Sequence, residues 1–164
     1  MFTELHWIDG PWAGRLAITA RPRGGDWLED EIKSWRRNGV GMVLSLLTPG
    51  EIEDLDLQHE PQFCHENGIR FLLFPIVDRS VPQSDGDTAQ LLEQIDNSLA
   101  QGENVVVHCR QGIGRSGMIA ASLLAGRGCR PEDAIERVSA ARQASIPDTP
   151  QQRAWIINFR YAFK

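Results

Sequence analysis

The stretch from Asn104 to Gly126, NVVVHCRQGIGRSGMIAASLLAG, constrains the fold more than any other part of the chain. NVVVHC (104–109) is short and β-branched, which suits a strand. Glycine-bearing residues follow it, and GMIAASLLAG (117–126) has the apolar character of a buried helix. Strand, tight loop and helix in that order put the loop at the carboxyl end of a strand. A chain carrying such a unit, with strands and helices alternating elsewhere, is expected to form an α/β domain.

Each part of the loop has a physical use. A helix N-terminus presents unpaired N–H groups and a partial positive charge, so it attracts anions. Gly112, Gly114 and Gly117 permit φ > 0, so successive amides can point into one cavity suited to phosphate oxygens. The same field favours the thiolate of Cys109, the reactive form of a cysteine. Arg115 lies six residues later, and its planar fork can hold two equatorial oxygens of a phosphoryl group in transfer. Ser116 is placed to donate a hydrogen bond to the sulfur as it leaves. Arg110, Gln111, Gly112, Ile113 and Gly114 complete the phosphate loop, with the Arg110 and Gln111 side chains at its rim. His108 is expected to bond to nearby backbone and shape the loop, with no part in proton transfer.

His6–Trp12 and Arg15–Ala20 read as strands around the turn DGPWAG. Leu28, Ile32 and Trp35 recur at helical spacing and stop at Asn38-Gly39. Val40–Leu47 is a continuous apolar run, suiting a strand buried on both faces of a parallel sheet. A short helix follows Pro49-Gly50, and another opens at Pro61, carries Phe63 and Cys64, and ends at Asn67-Gly68. Ile69–Val77 (IRFLLFPIV) reads as a further buried strand, followed by an ordered polar loop over 78–87. Leu91, Leu92, Ile95 and Leu99 mark a helix that ends near Gly102. Two helices close the chain, Pro131–Arg142 and Pro150 to about Phe163. The expected architecture is one domain over residues 1–164, with three layers, α/β/α, and a central, mainly parallel sheet. Trp7, Trp12, Trp27, Trp35 and Trp155 are expected to be core or packing residues.

Charge and composition narrow the partners. A net charge of −5 and the lack of any block of Lys or Arg argue against nucleic acid or an anionic membrane surface. No apolar run approaches the roughly eighteen residues that cross a bilayer. The start, MFTELHWIDGPW, resembles neither a signal nor a transit peptide, so a cytoplasmic location is expected. Cys64, Cys109 and Cys129 are odd in number and far apart, against a disulfide framework. His59, Cys64 and His65 lack a matching second pair of ligands, so they read as a helix surface with one buried thiol rather than a metal site.

HCRQGIGRS satisfies every fixed position of H-C-x-x-G-x-x-R-S/T, and on that ground resembles the protein tyrosine phosphatase superfamily. FPIVDRSVP, followed by a helix and VVVHC, is similar to the acid-loop arrangement of the dual-specificity branch. It is especially similar to the kinase-associated phosphatase group, with its P-I-x-D-x-x-x-P segment. The resemblance implies the cysteine-phosphatase fold and a two-step hydrolysis. Cys109 would attack phosphorus, Asp78 would protonate the leaving oxygen, and water would then release phosphate with Asp78 as base. No metal or other cofactor is implied. The residues themselves favour Asp78: it follows the strand FPIV, and ligands bind at the carboxyl ends of such strands. Asp85 and Asp87 read instead as turn and cap residues of the next helix.

IPDTPQQRAWI is similar to a late segment of the same branch, where Gln152 would orient the hydrolytic water. Thr149-Pro150-Gln151-Gln152 also fits a capping box, a reading set slightly ahead of the first. Arg21 and Arg23 stand equally as rim or as solvated loop residues. Expected substrates are phosphomonoesters: phosphotyrosine in proteins, with phosphoserine and phosphothreonine. A phosphoinositide or other small phosphoester is the enzymatic alternative, which the absence of Lys from the loop disfavours. Weaker rivals are a phosphopeptide-binding module without turnover, and sulfurtransferase or arsenate reductase chemistry, against which the G-x-x-R-S ending speaks. Tyr161 is the only tyrosine and lies near the C-terminus, so a shallow site without a deep aromatic wall is expected. Oligomeric state is left open.

Overall fold

A computed structural model describes residues 2–161. Five strands form one sheet in the order β1-β2-β5-β3-β4: β1 (His6–Ile8), β2 (Leu16–Thr19), β3 (Val40–Ser45), β4 (Arg70–Leu73) and β5 (Asn104–His108). β1 runs antiparallel to β2, and the other pairings are parallel. The helices are α1 (Leu28–Arg37), α2 (Pro49–Asp54), α3 (Glu60–Glu66), α4 (Asp85–Ala100), α5 (Gly114–Gly126), α6 (Pro131–Arg142) and α7 (Pro150–Asn158).

Side chains alternate across a strand, so a sheet covered on both faces builds two cores. Leu16, Ile18, Met42, Leu44, Val105 and Val107 face α4, α5, α6 and α7. Ala17, Val40, Val43 and Val106 face α1 and α3. Val40 and Val43 share a face because a register shift between Val40 and Met42 interrupts the alternation. The three-layer arrangement is thus the one expected.

The strand predicted over Ile69–Val77 is shorter and less buried than expected. β4 is an edge strand and ends at Leu73, which is exposed. Phe74 and Ile76 still donate to Ser45 O and Leu46 O at 2.9 and 3.0 Å, but Pro75 between them has no N–H for the ladder. Other differences are local. The first strand stops at Ile8, α5 opens at Gly114, and α7 ends at Asn158, while Phe163 lies outside the described residues. Ser84, rather than Asp85 or Asp87, caps α4, its Oγ accepting the Asp87 N–H at 3.1 Å. Trp12 and Trp35 are buried, but Trp27 lies on the surface under the Arg23 guanidinium, 4.7 Å from its ring centre.

Register fixes where chemistry can occur. Thr19 and Ser45 both pair with His108, and Leu73 pairs with Ser45, so four parallel strands end level. The segments after β2, β3, β4 and β5 therefore converge on one edge.

Candidate active site

Cys109 follows the last residue of β5 and is buried on the α4–α5 face of the sheet. The loop beyond it turns at Gly112, whose φ is +71°. A Cβ there would lie 2.5 Å from Thr19 C and 2.6 Å from Ala20 N, so only glycine lets the loop close against β2. Gly114 and Gly117 lack the positive φ expected of them and serve instead as clearance. A Cβ on Gly114 would meet Asp148 Cβ and Gln152 Oε1, each at 2.9 Å, and one on Gly117 would meet Ile146 at 3.1 Å. Arg142, at the end of α6, braces the loop from outside, donating to Gly112 O and Gln111 O at 3.1 Å each. Arg21 N–H donates to Arg110 O at 3.3 Å. Together these contacts shape a cavity of about 150 Å³ lined by Asp78, Cys109, Gln111, Gly114, Arg115 and Asp148, with Arg79 beside them.

Arg115 is almost wholly buried, and its partners set its orientation. Glu51 Oε1 and Oε2 accept from Nη1 and Nη2 at 2.7 and 2.9 Å, and Ile76 O accepts from Nη1 at 2.8 Å. Of five guanidinium donors, these contacts leave the edge formed by Nε and Nη2. Asp78 Oδ1 lies 3.2 Å from Nη2, so the candidate acid adjoins the edge available to a phosphate. Burial alone would lower the Arg115 pKa, but the Glu51 hydrogen bonds and the neighbouring Cys109, Glu51 and Asp78 raise it. Burial would raise the Glu51 pKa, yet the Arg115 hydrogen bond, with the Thr48 backbone bond, holds it below 4.5. Glu51 therefore contributes stability that is complete above that pH and lost as the pH falls through the lowered folded value.

Glu51, which holds Arg115, is a site residue that the motif did not mark. Thr48 and Glu51 form a capping box at the start of α2, a T-x-x-E pattern visible in the sequence directly after β3. The same carboxylate serves the cap and the arginine. Glu51→Gln keeps the shape but not the charge, so Arg115 is expected to lose its fixed orientation. The expected result is a fall in kcat/KM of about 10²-fold for an aryl phosphate, with a lowered melting temperature because the buried Arg115 loses its ionised partner. Wild-type kinetics in that variant would show that Arg115 orients itself.

His108 departs from expectation. Instead of bonding to backbone, its Nε2 pairs with Glu60 Oε2 at 2.6 Å, both groups buried on the α1–α3 face beside Trp35. Alternation along β5 sends His108 to one face and Cys109 to the other. Ser116 is buried next to Arg115, and its Oγ has no hydrogen-bond partner among the described residues. Arg110 is half-exposed at the rim, 3.8 Å from Glu51. Gln152 caps α7 with Thr149, as the capping reading expected, and its Nε2 donates to Ser80 O in the acid loop at 3.1 Å. Arg23 closes on the buried Glu31 at 3.1 Å, which assigns it to packing. Among the described residues, no group of three or more His, Cys, Asp or Glu is placed to hold a metal. Burial pushes the Cys64 thiol pKa well up, as for an inert core cysteine.

A wider cavity, about 940 Å³, opens on the other flank of the acid loop between Phe74, Val77, Val81 and Thr149. It shares Arg79 with the Cys109 cavity but contains none of the nucleophile, the clamp or the acid.

A thiol at a strand end, a loop closed against the sheet, a buried arginine and a carboxylate on that arginine are the parts that cysteine-dependent phosphoryl transfer requires. Comparison with known proteins agrees. A family model described as "Polymorphic toxin system, DSP-PTPase phosphatase" matches residues 18–128, and the chain belongs to that family. It is 32% identical over 106 residues to "Putative tyrosine phosphatase 197R" of Invertebrate iridescent virus 6, covering 60% of this chain and 38% of that protein. It is 26% identical over 133 residues to cyclin-dependent kinase inhibitor 3 of Rattus norvegicus, covering 80% of this chain and 61% of that protein. This chain thus spans less than two thirds of either relative. In fold it superposes on kinase-associated phosphatase with its catalytic-site cysteine changed to serine, at a TM-score of 0.90 and 20% identity, over 98% and 95% of the two chains. It also matches PTPMT1 in complex with PI(5)P, at a TM-score of 0.75 and 22% identity, over 93% and 94%.

Proposed function

We propose that this chain hydrolyses phosphomonoesters through a cysteinyl-phosphate intermediate. The observation that carries the reading is the shared cavity, lined by Cys109, Arg115 and Asp78, with Asp78 3.2 Å from Arg115 Nη2. The phosphoryl group takes the Nε–Nη2 edge of Arg115 and the loop amides, which stabilise the charge of the transition state. Cys109 Sγ forms the bond to phosphorus while the leaving oxygen receives a proton from Asp78, freed from Arg115 by the incoming phosphate. Ser116 Oγ, buried and without another partner among the described residues, supports a role as hydrogen-bond donor to the sulfur in the second step. Water then attacks phosphorus, and Asp78, now a carboxylate, is one base available to it.

The size of the cavity bears on the substrate. At about 150 Å³ it is well below the ~300–1,000 Å³ of pockets that enclose a drug-sized ligand, and among the described residues no aromatic side chain lines it. Tyr161 cannot supply a wall, since its hydroxyl donates to Glu93 on α4. The site holds the phosphoryl group and leaves the rest of the substrate at the surface, which suits phosphoserine and phosphothreonine as well as phosphotyrosine in proteins. The two core clusters on one sheet support a single catalytic domain over residues 1–164. Free Cys64, Cys109 and Cys129 fit a reducing compartment, consistent with action in the cytoplasm.

A panel of phosphotyrosine, phosphoserine and phosphothreonine peptides, a soluble phosphoinositide and an aryl phosphate tests the reading. Turnover confined to the phosphoinositide would overturn the protein-substrate assignment. Asp78→Asn should cost about 10²–10⁴-fold in kcat for alkyl esters, where the leaving oxygen needs the proton, and far less for a nitrophenyl ester. An equal loss for both leaving groups would remove Asp78 from the acid's role.

A further inference from the structure

The motif does not mark Asp148, yet it lines the same cavity as Cys109, Arg115 and Asp78. Its backbone N–H donates to Gln152 Oε1 at 3.0 Å, and that oxygen also accepts from Thr149 N–H at 3.2 Å. An amide oxygen has two lone pairs, so Gln152 has no acceptor left for a water proton. One of its two amide N–H groups donates to Ser80 O. What Gln152 does fix is the position of Asp148. The Asp148 side chain packs over Gly114, where the phosphate loop becomes α5. Arg79 Nη1 holds Oδ2 at 2.9 Å, while Oδ1 makes no hydrogen bond among the described residues. The side chain is 35% exposed, so water reaches it.

We propose that Asp148 is the catalytic base for hydrolysis of the cysteinyl phosphate, with Gln152 acting through it as a positioning residue. This rests on the two-step reading given above. The water oxygen forms a bond to phosphorus as the P–Sγ bond breaks, and that electron pair returns to Cys109 as the thiolate. One water proton passes to Asp148 Oδ1, and the carboxylic acid then releases it to solvent. The two carboxylates divide the reaction: Asp78 gives a proton in the first step and regains one from solvent, and Asp148 takes one from water in the second.

The test is rapid mixing of the whole chain with an aryl phosphate, following phenol release in the first turnover and the phosphoenzyme trapped by a denaturing quench. For Asp148→Asn, phenol release in the first turnover should stay within about twofold, steady-state turnover should fall by about tenfold to 10²-fold, and trapped phosphoenzyme should rise. Asp148→Glu should restore part of the turnover. Arg79→Ala breaks the same ion pair but keeps the carboxylate, so it should not raise the phosphoenzyme. The proposal is overturned if both steps slow together, if trapped phosphoenzyme does not rise, or if Arg79→Ala reproduces the whole defect. A wild-type chain that forms no Cys109-dependent phosphoenzyme would sink the phosphatase reading itself, an outcome distinct from these.

Discussion

Cys109→Ser is expected to abolish turnover of an aryl phosphate, by on the order of 10⁶-fold as for loss of the nucleophile in a hydrolase, while phosphate still binds. A serine hydroxyl becomes a useful nucleophile only beside a general base. The neighbouring imidazole cannot serve, because His108 points through the sheet to Glu60 and Trp35. The carboxylates in the cavity are placed for the leaving oxygen and for water. The phosphate cradle itself does not depend on sulfur: Arg115 is held by Glu51 and Ile76 O, and the loop by Arg142. Binding of inorganic phosphate, measured by calorimetry, should therefore stay within about tenfold of wild type, a change of ~1.4 kcal/mol. Residual turnover near the wild-type rate would refute Cys109 as nucleophile. Loss of phosphate binding in a folded variant would show that the sulfur, rather than the arginine and amides, holds the anion.

What could be read in advance depended on distance along the chain. The loop HCRQGIGRS is nine consecutive residues, so its spacing alone places a thiol, an arginine and a helix start together. Asp78 was within reach because an apolar strand ends directly before it. Glu51 lies 64 residues before Arg115. Its local pattern is fully explained by a helix cap, which hides its second task. Asp148 is concealed in the same way, by the capping box it precedes. Arg142 reads as the polar end of an amphipathic helix, and only the packing of α6 against α5 brings it to the loop carbonyls. The error over His108 has a simpler cause. Adjacent residues at a strand end face opposite layers, so its neighbour's role says nothing about its own partner. The burial expected of the strand over 69–77 failed because strand order, which no local pattern reveals, puts β4 at the edge.

Arg115→Lys should cost about 10³–10⁵-fold in kcat/KM, the range seen when an arginine is removed from a phosphoryl-transfer site. Lysine keeps the charge but offers a compact ammonium in place of a planar fork. It cannot meet both Glu51 oxygens and Ile76 O while also presenting an edge to the phosphate, so some of those acceptors are left unsatisfied. A buried acceptor without a partner costs about 1–3 kcal/mol, so melting temperature should fall as well. Activity loss and destabilisation must then be told apart. A stabilising osmolyte such as sucrose raises melting temperature without altering a side chain, so in its presence the variant should regain stability without regaining turnover. Recovery of turnover with stability would mean that Arg115 matters only as a strut for α2 and the acid loop. Stability restored with kcat/KM still depressed by about 10³-fold would assign the loss to phosphate recognition, because the free Nε–Nη2 edge of Arg115 is the part no lysine can rebuild.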